Sequence, residues 1–206
     1  MKIVLNQASK RYNQNWIFKS LSTTFISGNH YAITGPNGSG KSTLLQTLSG
    51  NVKLSTGNID WQLRISIDDP YQIHEYIAMA APYMELVEEM TADELLNFHF
   101  VFKSRKNNIE NREILHAVGL TDAAEKQIQY FSSGMKQRLK LAQAFFSDTP
   151  ALLLDEPTSN LDLQGIQMYQ DLLQSQTNDR LVIICSNDAA EIKTCQLSIF
   201  LPDYKK

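Results

Sequence analysis

No run of apolar residues in this 206-residue sequence approaches the roughly 20 needed to cross a bilayer. The opening residues, MKIVLNQASKRYNQ, lack the apolar core of a secretory leader. A cytosolic chain is therefore expected, which would need a separate chain to cross a membrane if it serves one. Basic residues are not in excess: the formal net charge is -3, so the positive footprint of a nucleic-acid binder is missing. Cysteine is scarce as well. Cys185 and Cys195 show no metal-site spacing, and the strand-like surroundings of Cys185 mark it as a small buried hydrophobe. Internal repeats, low-complexity tracts and long linkers are absent from the sequence. What remains is an ordinary globular composition, 43% apolar and 20% charged, with length for one domain and a substantial core.

The most informative stretch is His30 to Gly50, HYAITGPNGSGKSTLLQTLSG. Tyr31-Ala32-Ile33 reads as a buried strand. A glycine-rich loop follows from Gly35 to Gly40, and Lys41-Ser42-Thr43 opens an apolar-periodic helix through Leu44, Leu45 and Leu48. Strand, G-x-x-x-x-G-K-S, helix is a phosphate-binding loop in its expected context. Gly35, Gly38 and Gly40 let the backbone turn its N–H groups inward toward phosphate oxygens. The helix N-terminus adds unpaired donors and partial positive charge. Lys41 is placed to reach the β- and γ-phosphates of a nucleotide, and the Ser42 hydroxyl to ligate Mg²⁺.

Around this centre the chain reads as alternating strands and helices. Lys2 to Leu5 and Trp16 to Ile26 have the patterning of an antiparallel opening sheet, with Tyr12 between them. Ser55-Thr56-Gly57-Asn58 reads as a turn, Asn58 to Trp61 and Ile65 to Ile67 as short strands, and Asp68-Asp69-Pro70 as a break. Tyr76 to Ala81 is a strand stopped by Pro82. Thr91-Ala92-Asp93-Glu94 caps a helix carrying Leu95, Leu96, Phe98 and Phe102. Asn107 to Val118 gives another, ended by Gly119. From Thr91 to Tyr130 the pattern is purely helical, so a helical subdomain of about 91–146 is expected within a sheet-bearing core.

Phe131-Ser132-Ser133-Gly134 then opens a helix through Phe146, with an anion-friendly N-terminus. Ala151 to Leu154 is a continuous apolar run, the mark of a buried parallel strand, and it delivers Asp155 and Glu156 at its C-terminal end. Beside a phosphate loop, such an Asp holds Mg²⁺ and such a Glu orients and deprotonates the attacking water. Leu161 to Leu173 is a helix and Leu181 to Cys185 a buried strand, with Ser186-Asn187-Asp188 at its carboxyl end. Gln196 to Leu201 is the last strand. The fold class is α/β, with a mostly parallel central sheet.

Three pieces in this order, GPNGSGKST (Gly35 to Thr43), FSSGMKQR (Phe131 to Arg138) and ALLLDEPTSNLD (Ala151 to Asp162), resemble the ATP-binding subunits of ABC transporters over essentially the whole chain. The resemblance implies a P-loop nucleotide-hydrolase core with an antiparallel N-terminal β subdomain and an inserted helical subdomain, within a single ATP-binding domain of residues 1–206. It implies ATP and Mg²⁺ as ligands. Tyr12 would stack on adenine, and the loop Asn37, Gly38, Ser39, Gly40, Lys41, Ser42 and Thr43 would cradle the phosphates. Ser42 and Asp155 would serve Mg²⁺, and Glu156 would be the catalytic base. Ser132 and Gly134 would touch the γ-phosphate of ATP bound to a second subunit, and Ser159 to Asp162 would link the two sites. Partners implied are a second ATP-binding subunit, identical or homologous, and a separate transmembrane permease that holds the chain at the cytoplasmic face of the membrane.

The sequence departs from the family at two positions of the signature and at two places elsewhere. In the signature, Ser133 and Met135 replace the usual glycine and glutamine, while Ser132 and Gly134 stay in place. More consequentially, Ala80-Ala81-Pro82-Tyr83-Met84-Glu85 contains no glutamine where the family senses Mg²⁺ and attacking water, leaving Glu85 as a substitute; and Asn187 stands where the family carries its switch histidine. Asparagine donates a hydrogen bond to a γ-phosphate oxygen but carries no proton. A working but slow ATPase is expected, with the partner contact near Pro82 to Glu94. The competing readings are a soluble ABC ATPase outside transport and a nucleotide-dependent regulator that hydrolyses little.

Overall fold

The computed structural model describes residues 1–63 and 70–205. The strand expected at Ile65 to Ile67 and the break at Asp68-Asp69 lie outside them. Among the described residues the strands form two sheets. Strands β1 (Lys2–Tyr12), β2 (Asn15–Ile26) and β4 (Thr56–Gln62) make an antiparallel sheet in the order β2-β1-β4. Strands β3 (His30–Thr34), β5 (Ile77–Ala80), β6 (Ala151–Asp155), β7 (Leu181–Cys185) and β8 (Leu197–Phe200) make a parallel one, ordered β5-β6-β7-β3-β8.

The central strands β6 and β7 are buried on both faces, and period-2 alternation divides their side chains between two cores. Ala151, Leu153, Leu181, Ile183 and Cys185 point to the side shared with the antiparallel sheet and with Leu44, Leu45 and Leu48 of α1 (Lys41–Leu48). Leu152, Leu154, Val182 and Ile184 point to the other side. That side is filled by α2 (Ala92–Phe102), α3 (Asn111–Ala117), α4 (Ser133–Phe146) and α5 (Leu163–Gln176). Cys185 is fully buried, as its apolar surroundings predict, and burial pushes its thiol well above the ordinary range. No helix among the described residues is long and apolar enough to cross a membrane.

Local signals account for the helix starts. Thr91 accepts from the Glu94 N–H while the Glu94 carboxylate accepts from the Thr91 N–H, the reciprocal pair expected from Thr-x-x-Glu. Two expectations shift. The helix expected from Asn107 begins at Asn111, because Asn107 and Asn108 take left-handed backbone (φ 54° and 53°), which asparagine tolerates and a helix does not. The turn expected at Ser55 to Asn58 is instead the start of β4. A bulge at Gln7 of β1 (φ 48°) pushes backbone against that strand, and a Cβ at Gly57 would lie 2.2 Å from the Gln7 carbonyl oxygen. Glycine is there for close approach, not for a chain reversal.

Candidate nucleotide site

Because its strands are parallel, the larger sheet brings the ends of β3, β5, β6 and β7 to one edge. The phosphate loop follows β3, Asp155 and Glu156 end β6, and Asn187 follows β7. Such an edge is where open α/β sheets bind ligands.

Gly40 caps α1 in left-handed backbone (φ 104°), and a Cβ there would meet Ile17 Cγ2 at 2.2 Å. The loop is thus pinned against β2, which also carries the β1–β2 hairpin, with Tyr12 at its end, to this side. Tyr12 is about half exposed, with the Lys10 ammonium 4.8 Å from its ring centroid. Asn37 and Gly38 are exposed at the loop crown, whereas Ser39 is buried with its hydroxyl unpartnered.

Lys41 is buried, and its Nζ donates to the Gly35 carbonyl at 2.7 Å and the Pro36 carbonyl at 3.4 Å. Asn187 grips the same residue, Gly35, from the β7 side. Its Nδ2 donates to the Gly35 carbonyl at 2.6 Å and its Oδ1 accepts from the Gly35 N–H at 2.9 Å. One Asn187 N–H is left over by this two-way clamp.

Asp155 is 2% exposed and its Oδ2 has no hydrogen-bond partner. Burial pushes its carboxyl above the usual range; the Ser42 hydroxyl, Lys41 and the Tyr83 hydroxyl act against that, and the Glu156 charge adds to it. A buried carboxylate with an idle oxygen is costly unless a cation arrives. Clusters of three or more His, Cys, Asp or Glu suited to a metal are absent among the described residues. One carboxylate and one hydroxyl beside a phosphate loop nonetheless suit Mg²⁺, which takes few protein ligands and keeps waters and phosphate oxygens. Glu156 is exposed, with left-handed backbone at φ 42°, a conformation costing about 1 kcal/mol for a non-glycine residue. Its N–H donates to the Cys185 carbonyl at 2.9 Å, which holds this strained residue beside the end of β7.

The signature residues lie elsewhere. Ser132 caps α4 by accepting from the Met135 N–H at 3.2 Å, and Ser132 and Gly134 line a cavity of about 770 Å³ with Asn160, Leu161 and Asp162. None of the phosphate-loop residues lines that cavity. Gly134 packs so closely under the following loop that a Cβ would lie 2.9 Å from the Asn160 carbonyl. Gln137 Nε2 donates to the Pro157 carbonyl at 2.8 Å, and Arg138 Nη2 pairs with Asp162 Oδ1 at 2.8 Å. So the structure gathers Lys41, Ser42, Asp155, Glu156 and Asn187 into one group, and Ser132, Gly134 and the 159–162 segment into another.

Residues invisible to motif reading also build the site. Glu191, 3% exposed, accepts from the Thr158 N–H at 2.6 Å and the Thr158 hydroxyl at 2.5 Å, tying the segment after Asn187 to the start of the 159–162 loop. Glu85, the substitute considered for the missing glutamine, is exposed, as is Tyr83 before it.

A phosphate loop on this sheet edge, with an acidic pair on the strand beyond the neighbouring β7, defines a P-loop nucleotide-binding cassette. The model of the ABC transporter family matches residues 18–159. The uncharacterized ABC transporter ATP-binding protein YybJ of Bacillus subtilis (strain 168) is 32% identical over 204 residues, covering 95% of this chain and 90% of that protein. The uncharacterized YcbN of the same organism is 31% identical, and this chain, 91% covered, spans 62% of its length. In fold, the chain resembles an ATP-binding subunit of an ABC transporter with a TM-score of 0.84 (21% identity; 98% of this chain and 87% of that one). It also resembles the ATP-binding cassette MJ0796, a dimer in a post-hydrolysis state with ADP and Pi, with a TM-score of 0.80 (22% identity; 97% and 94%). The chain belongs to the ABC transporter family, as an ATP-binding subunit of the ABC ATPase class.

Proposed function

We propose that this chain, acting as one cassette of residues 1–206 with a helical subdomain at about 91–146, hydrolyses ATP between itself and a second ATP-binding subunit. The resulting motion drives a separate membrane-spanning partner at the cytoplasmic face of the membrane. The separation of the two residue groups carries the reading. The phosphate loop with Asp155 and Glu156 is one half of a site, and the α4 N-terminus with Ser132 and Gly134 is a second half with no phosphate loop of its own. Head-to-tail pairing of two chains supplies each half with its complement.

In that arrangement Tyr12 stacks on adenine, and Asn37 to Thr43 hold the phosphates through backbone N–H groups and hydroxyls. Lys41 exchanges the Gly35 carbonyl for phosphate oxygens. Mg²⁺, held by Ser42 and Asp155, neutralises phosphate charge when bound. Glu156 takes a proton from the water whose oxygen bonds to the γ-phosphorus as the β–γ bridging bond breaks. The remaining Asn187 N–H donates to a γ-phosphate oxygen. Ser132 and Gly134 donate from the partner subunit's side, where a helix N-terminus favours the anion.

The permease contact is assigned to the stretch from Pro82 to Glu94, with its exposed Tyr83, Met84 and Val87, and to α2 after it, with its exposed Phe98, Val101 and Phe102. All six are exposed, from 38% for Met84 to 76% for Val101. Large apolar side chains left exposed on neighbouring stretches of chain call for a partner. The transport names of relatives, such as the lantibiotic transport ATP-binding protein SrtF of Streptococcus pyogenes, favour a permease as that partner.

One observation favours the regulator reading: Asn187 spends its carbonyl and one N–H on Gly35 and carries no proton. ATP turnover of the purified chain against Glu156→Gln separates the two. Loss of a general base lowers turnover by about 10²-fold or more; equal rates for the two proteins favour the regulator.

A further inference from the structure

Glu156 opens a turn closed by the Ser159 N–H, which donates to the Glu156 carbonyl at 3.0 Å, with Pro157 and Thr158 between them. Its backbone at φ 42° is strained, and such strain persists only where the surroundings over-determine it. Two buried side chains hold the middle of the turn. Gln137 of α4, 2% exposed, donates to the Pro157 carbonyl at 2.8 Å. From the other side Glu191, 3% exposed, accepts on a single oxygen, Oε1, from the Thr158 N–H at 2.6 Å and the Thr158 hydroxyl at 2.5 Å. Glu191 is anchored in turn. Its N–H donates to the Asp188 carbonyl at 3.1 Å, and its own carbonyl accepts at 3.0 Å from the hydroxyl of Tyr169, a fully buried residue of α5. Asp188 follows Asn187 directly, so one carboxylate joins the turn that carries Glu156 to the segment that carries Asn187.

We infer that Glu191 is a positioning residue for ATP hydrolysis, its carboxylate holding through Thr158 the turn that sets where the Glu156 side chain points. The two short bonds on Oε1 and the strained Glu156 backbone carry this, and it rests on the reading that Glu156 takes the proton from the attacking water. A base acts only within hydrogen-bond reach of the proton it removes, and a misplacement of about 1 Å can cost about 10²-fold in rate. The phosphate loop belongs to β3 and α1 instead, so loss of the hold on Thr158 slows the chemical step and leaves ATP affinity in place.

The test is ATP turnover of the full chain carrying Glu191→Ala, Thr158→Val or Thr158→Ser, each made in the parent and in Glu156→Gln. In the parent, Glu191→Ala should lower kcat by about tenfold or more, with KM for ATP held within about twofold. Thr158→Val keeps the N–H bond and the side-chain shape, so it should lose less; Thr158→Ser keeps both donors and should match the parent. In Glu156→Gln no base is left to aim, so Glu191→Ala should leave the residual rate unchanged. Equal fold losses in the two backgrounds mark a purely structural role and overturn the inference, as does an unchanged kcat in the parent. Should Glu191→Ala fail to fold, Thr158→Val decides, and parent-like turnover in it overturns the inference. The parent against Glu156→Gln checks the base separately; equal rates there refute that reading and this inference with it.

Discussion

Replacing Asp155 with asparagine should stabilise the nucleotide-free chain while removing its response to Mg²⁺. Asp155 is buried at the sheet edge with Oδ2 unpartnered, and burial outweighs the help from Ser42, Lys41 and Tyr83, so its carboxyl titrates above the usual range. A folded-state value above the unfolded one means the folded chain binds that proton more tightly. The associated stability is complete in acid, below the unfolded carboxyl range, and is lost as pH rises through the raised value. An unsatisfied buried acceptor costs about 1–3 kcal/mol; asparagine keeps one acceptor for the neighbouring hydroxyls but forfeits the attraction of Lys41. The net gain is about 1 kcal/mol, or roughly 2–4 °C in melting temperature for a chain of this size. Thermal melts at pH 7.5 and in acid, with ATP and with or without Mg²⁺, check all parts. Asp155→Asn should melt higher when nucleotide-free at pH 7.5, lose that advantage in acid, and show no additional rise from Mg²⁺ beyond that from ATP. A lowered or unchanged midpoint at pH 7.5, or an undiminished gain in acid, refutes the argument.

Three further outcomes follow from other buried groups. His99 is held down to about 4 by burial and by Lys103, and its Nε2 lies 2.9 Å from the Ser147 hydroxyl. The unfolded chain takes up this proton first as pH falls below 6.5, so wild type should lose up to about 1 kcal/mol between pH 6.5 and 5, once partial exposure is allowed for; His99→Gln should flatten urea-midpoint plots there, and parallel plots contradict this. Arg180, 5% exposed, donates to the Phe145 carbonyl at 3.0 Å and the Thr149 hydroxyl at 2.7 Å, so Arg180→Met should cost about 3 kcal/mol in urea unfolding, and a loss under about 1 kcal/mol would sink that assignment. Gly40→Ala forces a Cβ to 2.2 Å from Ile17 at φ 104°, so ATP binding should fail; adding Ile17→Ala should recover part of the melting temperature, and no recovery means the clash is not the cause.

What was legible in the sequence and what was not divides along the range of the interactions. The strands of the parallel sheet announce themselves because Ala151 to Leu154 and Leu181 to Cys185 are buried on both faces, leaving unbroken apolar runs. The phosphate loop and acidic pair are readable because their chemistry sits in consecutive residues. Gly57 misled because a glycine between polar residues looks the same whether it serves a turn or admits a bulge from another strand. Glu191 and Arg180 were hidden for a related reason. Charged residues beside loops read as solvated, yet Glu191 is enclosed by Thr158 and Arg180 by the end of α4. Asn187 was legible in place, but its two-way clamp on Gly35 was not, since that contact spans 152 residues of sequence.

In the proposed mechanism one chain holds two half-sites that only a second copy or homologue can complete. The most direct measurement is the solution mass of the Glu156→Gln chain by light scattering, with ATP and Mg²⁺ and again with Ser132→Arg added. The expected result is a two-chain mass with ATP that returns to one chain when the bulky cation displaces the α4 N-terminus. A chain that binds ATP yet stays single in both proteins contradicts the shared-site mechanism.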